Sequence, residues 1–217
     1  MTLATRLAFF TLATLLLAHL ACDGGRTRQR SILLVTIDTL RADHLGSYGF
    51  EGPVSPNIDA LARHIRAFWG VHGRPRRLLM SFHGIPKRYR EAGDPYYHQC
   101  RTSAELLAKN LGLESDAWAL SFQSRVGREE WLKPYTDETL KRWGSEGLES
   151  VQVVCPGFPT DCLETLEEIA GENREYFEQA GGGDYRFIPG LNASPAHMRF
   201  YAELAARHCR GWPEAGD

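Results

Sequence analysis

Leu78-Leu79-Met80-Ser81-Phe82-His83-Gly84-Ile85-Pro86 sets the reading of the whole chain. Five residues without charge, stopped by a glycine and a proline, predict a buried strand over Leu78–Phe82 that delivers His83 to the start of a loop. The same layout recurs downstream. Ala117–Phe122 is a second run and ends in Gln123-Ser124-Arg125. Val151–Cys155 is rich in valine and halted by Pro156-Gly157, as expected of a buried parallel strand. Tyr185–Ile188 is the last such run.

Helical patterns separate these runs. Ile58, Leu61, Ala62, Ile65 and Phe68-Trp69 recur at helical spacing over residues 57–70. After a polar, aromatic loop over Lys87–Gln99, Thr102 and Glu105 form a capping-box pattern, and Gly112 closes that helix after Leu111. Thr136–Glu146 is the next helix. Asp161 is placed to cap a long one through Gln179, with Leu163, Leu166, Ile169 and Ala170 on one face. Ser194-Pro195 opens a last helix to about His208.

Strand and helix alternate four times, which predicts an α/β fold: a four-stranded parallel sheet, Rossmann-type, with helices on both faces. In such sheets ligands bind beyond the carboxyl ends of the strands. His83, Gln123–Arg125 and Asp161–Glu164 all follow strand ends and are therefore expected along one edge. No GxGxxG or Walker sequence occupies a strand-to-helix turn, so neither a dinucleotide nor a triphosphate is indicated.

A histidine facing a carboxylate across a cleft can bind a borderline divalent metal or move protons. Imidazole suits the second task because its unperturbed pKa is about 6.5. His83 and Glu164 are the pair in question, and each has a plainer reading. Glu164 stands three residues after Asp161 and fits the reciprocal half of a capping box. His83 fits a donor to a loop carbonyl.

Composition narrows the function classes. With 217 residues the chain has room for one large domain or for one domain plus a short extra segment, and its net charge of −2 argues against a nucleic-acid binder. The basic clusters at Arg26, Arg28 and Arg30 and at Arg74, Arg76 and Arg77 read as solvated charge. The five cysteines form no CxxC pair, which excludes zinc-ribbon and thioredoxin readings.

Met1–Ala21 carries one positive charge, Arg6, followed by the uncharged stretch Leu7–Leu17, the pattern of an export signal. Leu20-Ala21-Cys22 resembles the end of a bacterial lipoprotein signal, although His19 stands where a small aliphatic residue is expected. Residues 32–46 read as a buried strand ending in Asp38. Together with Tyr48-Gly49 and Ser55–Ala62, this run resembles the start of a sulfatase of the alkaline-phosphatase superfamily. The resemblance implies a metal-ligand role for Asp38. The Cys/Ser-x-Pro-x-Arg stretch that supplies that family's nucleophile is absent.

A second resemblance covers more of the chain. Leu78–Tyr89, Asp94-Pro95-Tyr96, Cys100-Arg101, Ser121–Glu138 and Val151–Glu168 are similar to the carboxy-terminal half of a bacterial ferrochelatase. The resemblance implies insertion of ferrous iron into protoporphyrin IX, in haem biosynthesis, by a lyase with a chelatase-like domain and no organic cofactor. Fe²⁺ is then a substrate. It assigns His83 and Glu164 as the catalytic and iron-binding pair, and Gln123, Ser124, Arg125, Trp131 and Asp161 as residues of the porphyrin cleft, with Trp131 and Phe158 as walls. Leu191-Asn192-Ala193-Ser194-Pro195 departs from the family's usual Leu-Asn-Asp-Ser-Pro at Ala193.

The two resemblances meet near residues 56–64. They imply a chimeric chain: a signal/lipoprotein-like segment at 1–22, a sulfatase-like fragment at 23–62 and a ferrochelatase carboxy-terminal domain at 63–217, joined by gene rearrangement or by sequence assembly. The larger part implies a cytoplasmic location; the signal-like start implies membrane anchoring or peripheral membrane association. Expected partners are protoporphyrin IX and ferrous iron, without nucleic acid. The alternatives are a non-catalytic porphyrin- or metal-binding remnant and a truncated sulfatase-family lipoprotein.

Overall fold

The computed structural model describes residues 56–210. The export-signal reading, Cys22 and the Asp38 segment lie outside the described residues. In order, the elements are α1 (Pro56–His72), β1 (Arg77–His83), α2 (Lys87–Glu91), α3 (Tyr96–Leu111), β2 (Trp118–Gln123), α4 (Thr136–Ser145) and β3 (Ser150–Val154). A π-helix (Glu164–Glu172) that continues as α5 (Asn173–Gln179), β4 (Asp184–Ile188) and α6 (Pro195–His208) complete them. The four strands form one parallel sheet in the order β2-β1-β3-β4.

Side-chain alternation along β1 divides the interior in two. Leu78, Met80 and Phe82 join a core built with Ile58, Ala62, Ile65 and Trp69 of α1 and Ala104, Leu107, Ala108 and Leu111 of α3. Leu79 joins the opposite core, with Leu140 and Trp143 of α4, Ile169, Phe177 of α5 and Tyr185 of β4. Helices therefore cover both faces. The connection from β1 to β2 runs over the α3 face, and those onward to β3 and β4 run over the other, as a constant hand of crossover demands. The Trp69 indole N–H donates to Gln152 Oε1 at 2.8 Å, and Gln152 Nε2 donates to the Gly73 carbonyl at 3.0 Å. A buried amide thus ties α1 to β3 at both ends of its hydrogen-bonding capacity.

β1 and β2 extend one residue beyond their apolar runs, so His83 and Gln123 are the last residues of strands rather than the first of loops, and they stand opposite each other in register. Two expected helix starts are displaced. α3 begins at Tyr96, not at Thr102, and Thr102 lies inside it. The start is set by Asp94-Pro95: the Asp94 carboxylate accepts the Tyr96 N–H at 2.8 Å, and Cys100 then buries against the sheet. Arg101 instead of Thr102 uses Glu105, in an exposed ion pair at 2.8 Å.

The second displacement concerns the long helix expected from Asp161. Its regular part opens at Glu164 with π-helical turns. Leu163 and Leu166, expected in the core, are 66% and 53% exposed, whereas Thr165, Ile169, Asn173 and Phe177 are buried. Widened turns replace the 3.6-residue period with one closer to four, which turns both leucines outward. The Asn173 amide marks the return to α-winding by donating to the Glu168 carbonyl at 2.8 Å. Among the described residues, no helix is long and apolar enough to cross a membrane.

The two candidate starts of α3 separate in thermal denaturation. Asp94→Ala is expected to cost about 1 kcal/mol, and Thr102→Ala to stay within about 0.5 kcal/mol.

Candidate active site at the carboxyl ends of β1 and β2

His83 is half-buried at the end of β1, with its ring centroid 6.3 Å from Trp131 and 6.3 Å from Phe158. Its Nδ1 lies 2.6 Å from the Gly84 carbonyl oxygen. A carbonyl can only accept, so Nδ1 carries the proton and the neutral ring keeps its lone pair on Nε2. The plain reading of His83 as a donor to a loop carbonyl is therefore correct, and it is also what readies the other nitrogen. The strand end is pinned from outside by the Tyr96 hydroxyl, which donates to the His83 carbonyl at 2.8 Å.

Gly84 has a specific reason to be glycine. A Cβ there would lie 2.9 Å from the Gln123 carbonyl oxygen and 3.1 Å from Cε3 of Trp131. The loop after β1 passes between the end of β2 and the indole, and only a bare backbone fits. Beyond it, Pro86 bridges to Trp131 in antiparallel fashion, Leu132 N donates to Ile85 O at 3.0 Å, and Lys87 N donates to Glu130 O at 2.9 Å. This ribbon holds Trp131, 9% exposed, beside the histidine. The Trp131 indole N–H is buried and without a hydrogen-bond partner among the described residues. An unmet buried donor costs about 1–3 kcal/mol, so the site carries a donor unused by the protein itself.

The expected capping box between Asp161 and Glu164 does not form. The Asp161 N–H donates to Asn192 Oδ1 at 2.8 Å, and the Thr165 hydroxyl accepts the Cys162 N–H at 2.9 Å, so the reciprocal cap is shifted by one residue. Asp161 itself accepts from Gly190 N at 2.9 Å and Asn192 Nδ2 at 2.7 Å, which ties the helix start to the loop after β4. The Glu164 side chain is thereby released from local capping. Its carboxyl is held below the ordinary value, first by the Cys162 thiol that hydrogen-bonds to it and then by its own backbone N–H. Burial and that same carboxylate push the Cys162 thiol up, so it stays protonated and remains a donor.

The residues after β2 divide. Gln123 is 2% exposed and bonds inside the protein: its Oε1 accepts from Ser81 Oγ at 2.7 Å and from Cys155 Sγ at 3.3 Å, and its Nε2 donates to the Glu164 carbonyl at 3.0 Å. Ser124 has a left-handed backbone, φ 65°, and both its N–H (2.8 Å) and its hydroxyl (2.7 Å) go to the Glu168 carboxylate. Arg125 is taken up by Asp137 at 3.0 Å and Glu138 at 3.2 Å at the start of α4 and lies over the Tyr135 ring. Glu168 and Cys162 escape the sequence reading. Glu168 carried a usable signal, since it stands four residues after Glu164 on the same helix; Cys162 carried none. Among the described residues, no group of three His, Cys, Asp or Glu side chains forms a cage for a metal ion. The pair offers at most a partial shell to a divalent cation, with the remaining positions for substrate or water.

The family model described as ferrochelatase matches residues 55–209. The chain is similar to the ferrochelatase of Thioalkalivibrio sulfidiphilus, 58% identical over 158 residues, which cover 73% of this chain and 43% of that protein. For the ferrochelatase of Nitrosococcus oceani the identity is 56% over 158 residues, with 73% and 43% covered. For that of Alcanivorax borkumensis it is 54% over 157 residues, with 72% and 46% covered. The chain thus spans less than half the length of these curated relatives.

The assignment of Glu164's environment has a titration test. Cys162→Ala removes the largest influence on the carboxyl and is expected to move its NMR-monitored midpoint upward, toward the ordinary value. The sign for stability follows from the depressed native pKa. The contribution is present above the unfolded value of about 4.3 and lost as pH falls through the lower native one. A Glu164 midpoint unchanged in Cys162→Ala would remove the thiol from this role.

Proposed function

The chain belongs to the ferrochelatase family, and on that premise we propose that it serves the insertion of ferrous iron into protoporphyrin IX, with His83 and Glu164 handling metal and protons. The observation that carries the reading is the tautomer of His83. With Nδ1–H spent on Gly84 O, the lone pair on Nε2 is the one basic nitrogen the ring can present. Insertion requires two pyrrole N–H protons to leave as the metal enters. His83 Nε2 takes one of them, and Glu164, kept anionic by its neighbours, passes the metal or receives the other.

The surroundings suit a flat apolar macrocycle. Trp131 and Phe158 flank the histidine, and the outward-turned Leu163 and Leu166 stand on either side of Glu164 in the sequence. Such apolar walls with few polar groups are what a porphyrin needs. On this reading Ser124 and Arg125 shape the rim, and Asp161 acts through the loop it holds at Gly190 and Asn192. Iron is substrate throughout, and no organic cofactor enters.

A second reading is a porphyrin- or metal-binding module without turnover. Zn²⁺ insertion into protoporphyrin, followed by absorbance, separates the two. The enzyme reading expects insertion by the native chain and a loss of about 100-fold or more in His83→Ala. Insertion undiminished in His83→Ala would sink the role given to the histidine. Quenching of porphyrin fluorescence without insertion would establish the second reading instead.

A further inference from the structure

Gln123 is 2% exposed and is bonded on both ends of its amide, which sets it apart from a residue that meets a ligand. It is the register partner of His83 on the neighbouring strand, so its Cα is fixed relative to the histidine by the β1–β2 ladder. Its Nε2 reaches across to the backbone carbonyl of Glu164 at 3.0 Å. One side chain therefore joins the strand that carries the histidine's neighbour to the residue that carries the carboxylate.

The amide is itself held in one orientation. Its Oε1 accepts from Ser81 Oγ, whose proton is thereby committed. Ser81 Oγ must then accept from the Thr136 hydroxyl at 2.8 Å, and Thr136 Oγ1 in turn accepts from Ser121 Oγ at 2.9 Å. All three hydroxyl dipoles run the same way, toward the Gln123 carbonyl oxygen, and such chains strengthen one another in a dry interior. Cys155 adds a second donor to that oxygen at 3.3 Å; burial pushes its thiol far up, so it keeps its proton. Ser81, Ser121, Thr136 and Gln123 are each no more than 2% exposed. A flipped amide would set its NH₂ group against these donors and lose Glu164, so a single rotamer is enforced.

We infer that Gln123 is a positioning residue: with Ser81, Thr136 and Ser121 behind it, its amide sets the separation of Glu164 from His83. The inference rests on the reading of His83 and Glu164 as a pair that handles a divalent cation. It differs from a role in lining the porphyrin cleft, because the side chain acts through Glu164 and not on the ligand.

Zn²⁺ binding to the full chain, measured calorimetrically, tests it through a double-mutant cycle. In the native chain both His83→Ala and Glu164→Gln are expected to weaken Zn²⁺. Gln123→Met, similar in length and without hydrogen-bonding groups, is expected to weaken it by about 10-fold, the usual effect of losing a group behind a ligand. The decisive quantity is the further loss when Glu164→Gln is added to Gln123→Met. It should shrink to within about twofold, since a carboxylate already out of place has little left to lose. Ser81→Ala and Thr136→Val should act in the same direction with a smaller loss, and they carry the test if Gln123→Met fails to give a native circular dichroism spectrum. An undiminished Glu164→Gln penalty in these backgrounds overturns the positioning role alone. Zn²⁺ affinity indifferent to His83→Ala and Glu164→Gln in the native chain overturns the pair and the inference together.

Discussion

A backbone carbonyl accepts and never donates, and the site depends on that asymmetry at Gly84. Because the Gly84 oxygen lies 2.6 Å from Nδ1 of His83, the proton of the neutral ring is assigned to Nδ1 and its lone pair to Nε2. The bond exists because the chain turns immediately after β1, and the turn exists because residue 84 has no Cβ to meet the Gln123 oxygen and the Trp131 ring. Local sterics, sheet register and the tautomer of His83 are thus one constraint viewed at three scales.

The second organising feature is the way the Glu164 helix begins. In an ordinary α-helical start, Asp161 and Glu164 would satisfy each other's backbone, and the carboxylate would be consumed in capping. Here Asn192 takes the Asp161 amide and Thr165 takes that of Cys162, so two other side chains do the capping. The π-helical turns that follow put Thr165 and Ile169 inward and leave Glu164 half-buried, with its charge near His83. π-turns are uncommon and concentrate at functional sites, in keeping with this use.

The fold was largely legible in the residues. Four apolar runs at regular intervals gave four parallel strands, and Gly112, Pro195 and the 156–157 turn marked boundaries that the structure keeps. What failed were local signals outweighed by longer-range ones. Thr102 and Glu105 match a capping box, but Asp94-Pro95 starts the helix six residues earlier, where Tyr96 can reach the His83 carbonyl. Leu163 and Leu166 look like core at a period of 3.6, and only the altered winding turns them out. For the site, residue spacing put His83 and Glu164 on one edge. It could not distinguish Gln123, sealed in the sheet, from Arg125, spent on an exposed pair of acids, because hydrogen-bond partners from α4 and the π-helix are set only by the packed structure.

The division of β1 between two cores has a consequence for the kinds of change the gene can accept. Leu78, Met80 and Phe82 serve one face and Leu79 the other, with Ser81 committed to Gln123. Exchanges among aliphatic residues respect that alternation. Loss or gain of one codon anywhere from Leu78 to Phe82 does not, because every later side chain changes face. The histidine would then point into the α3 side, its place taken by a phenylalanine or a glycine. In this segment the reading of length, more than the reading of letters, is what inheritance has to preserve.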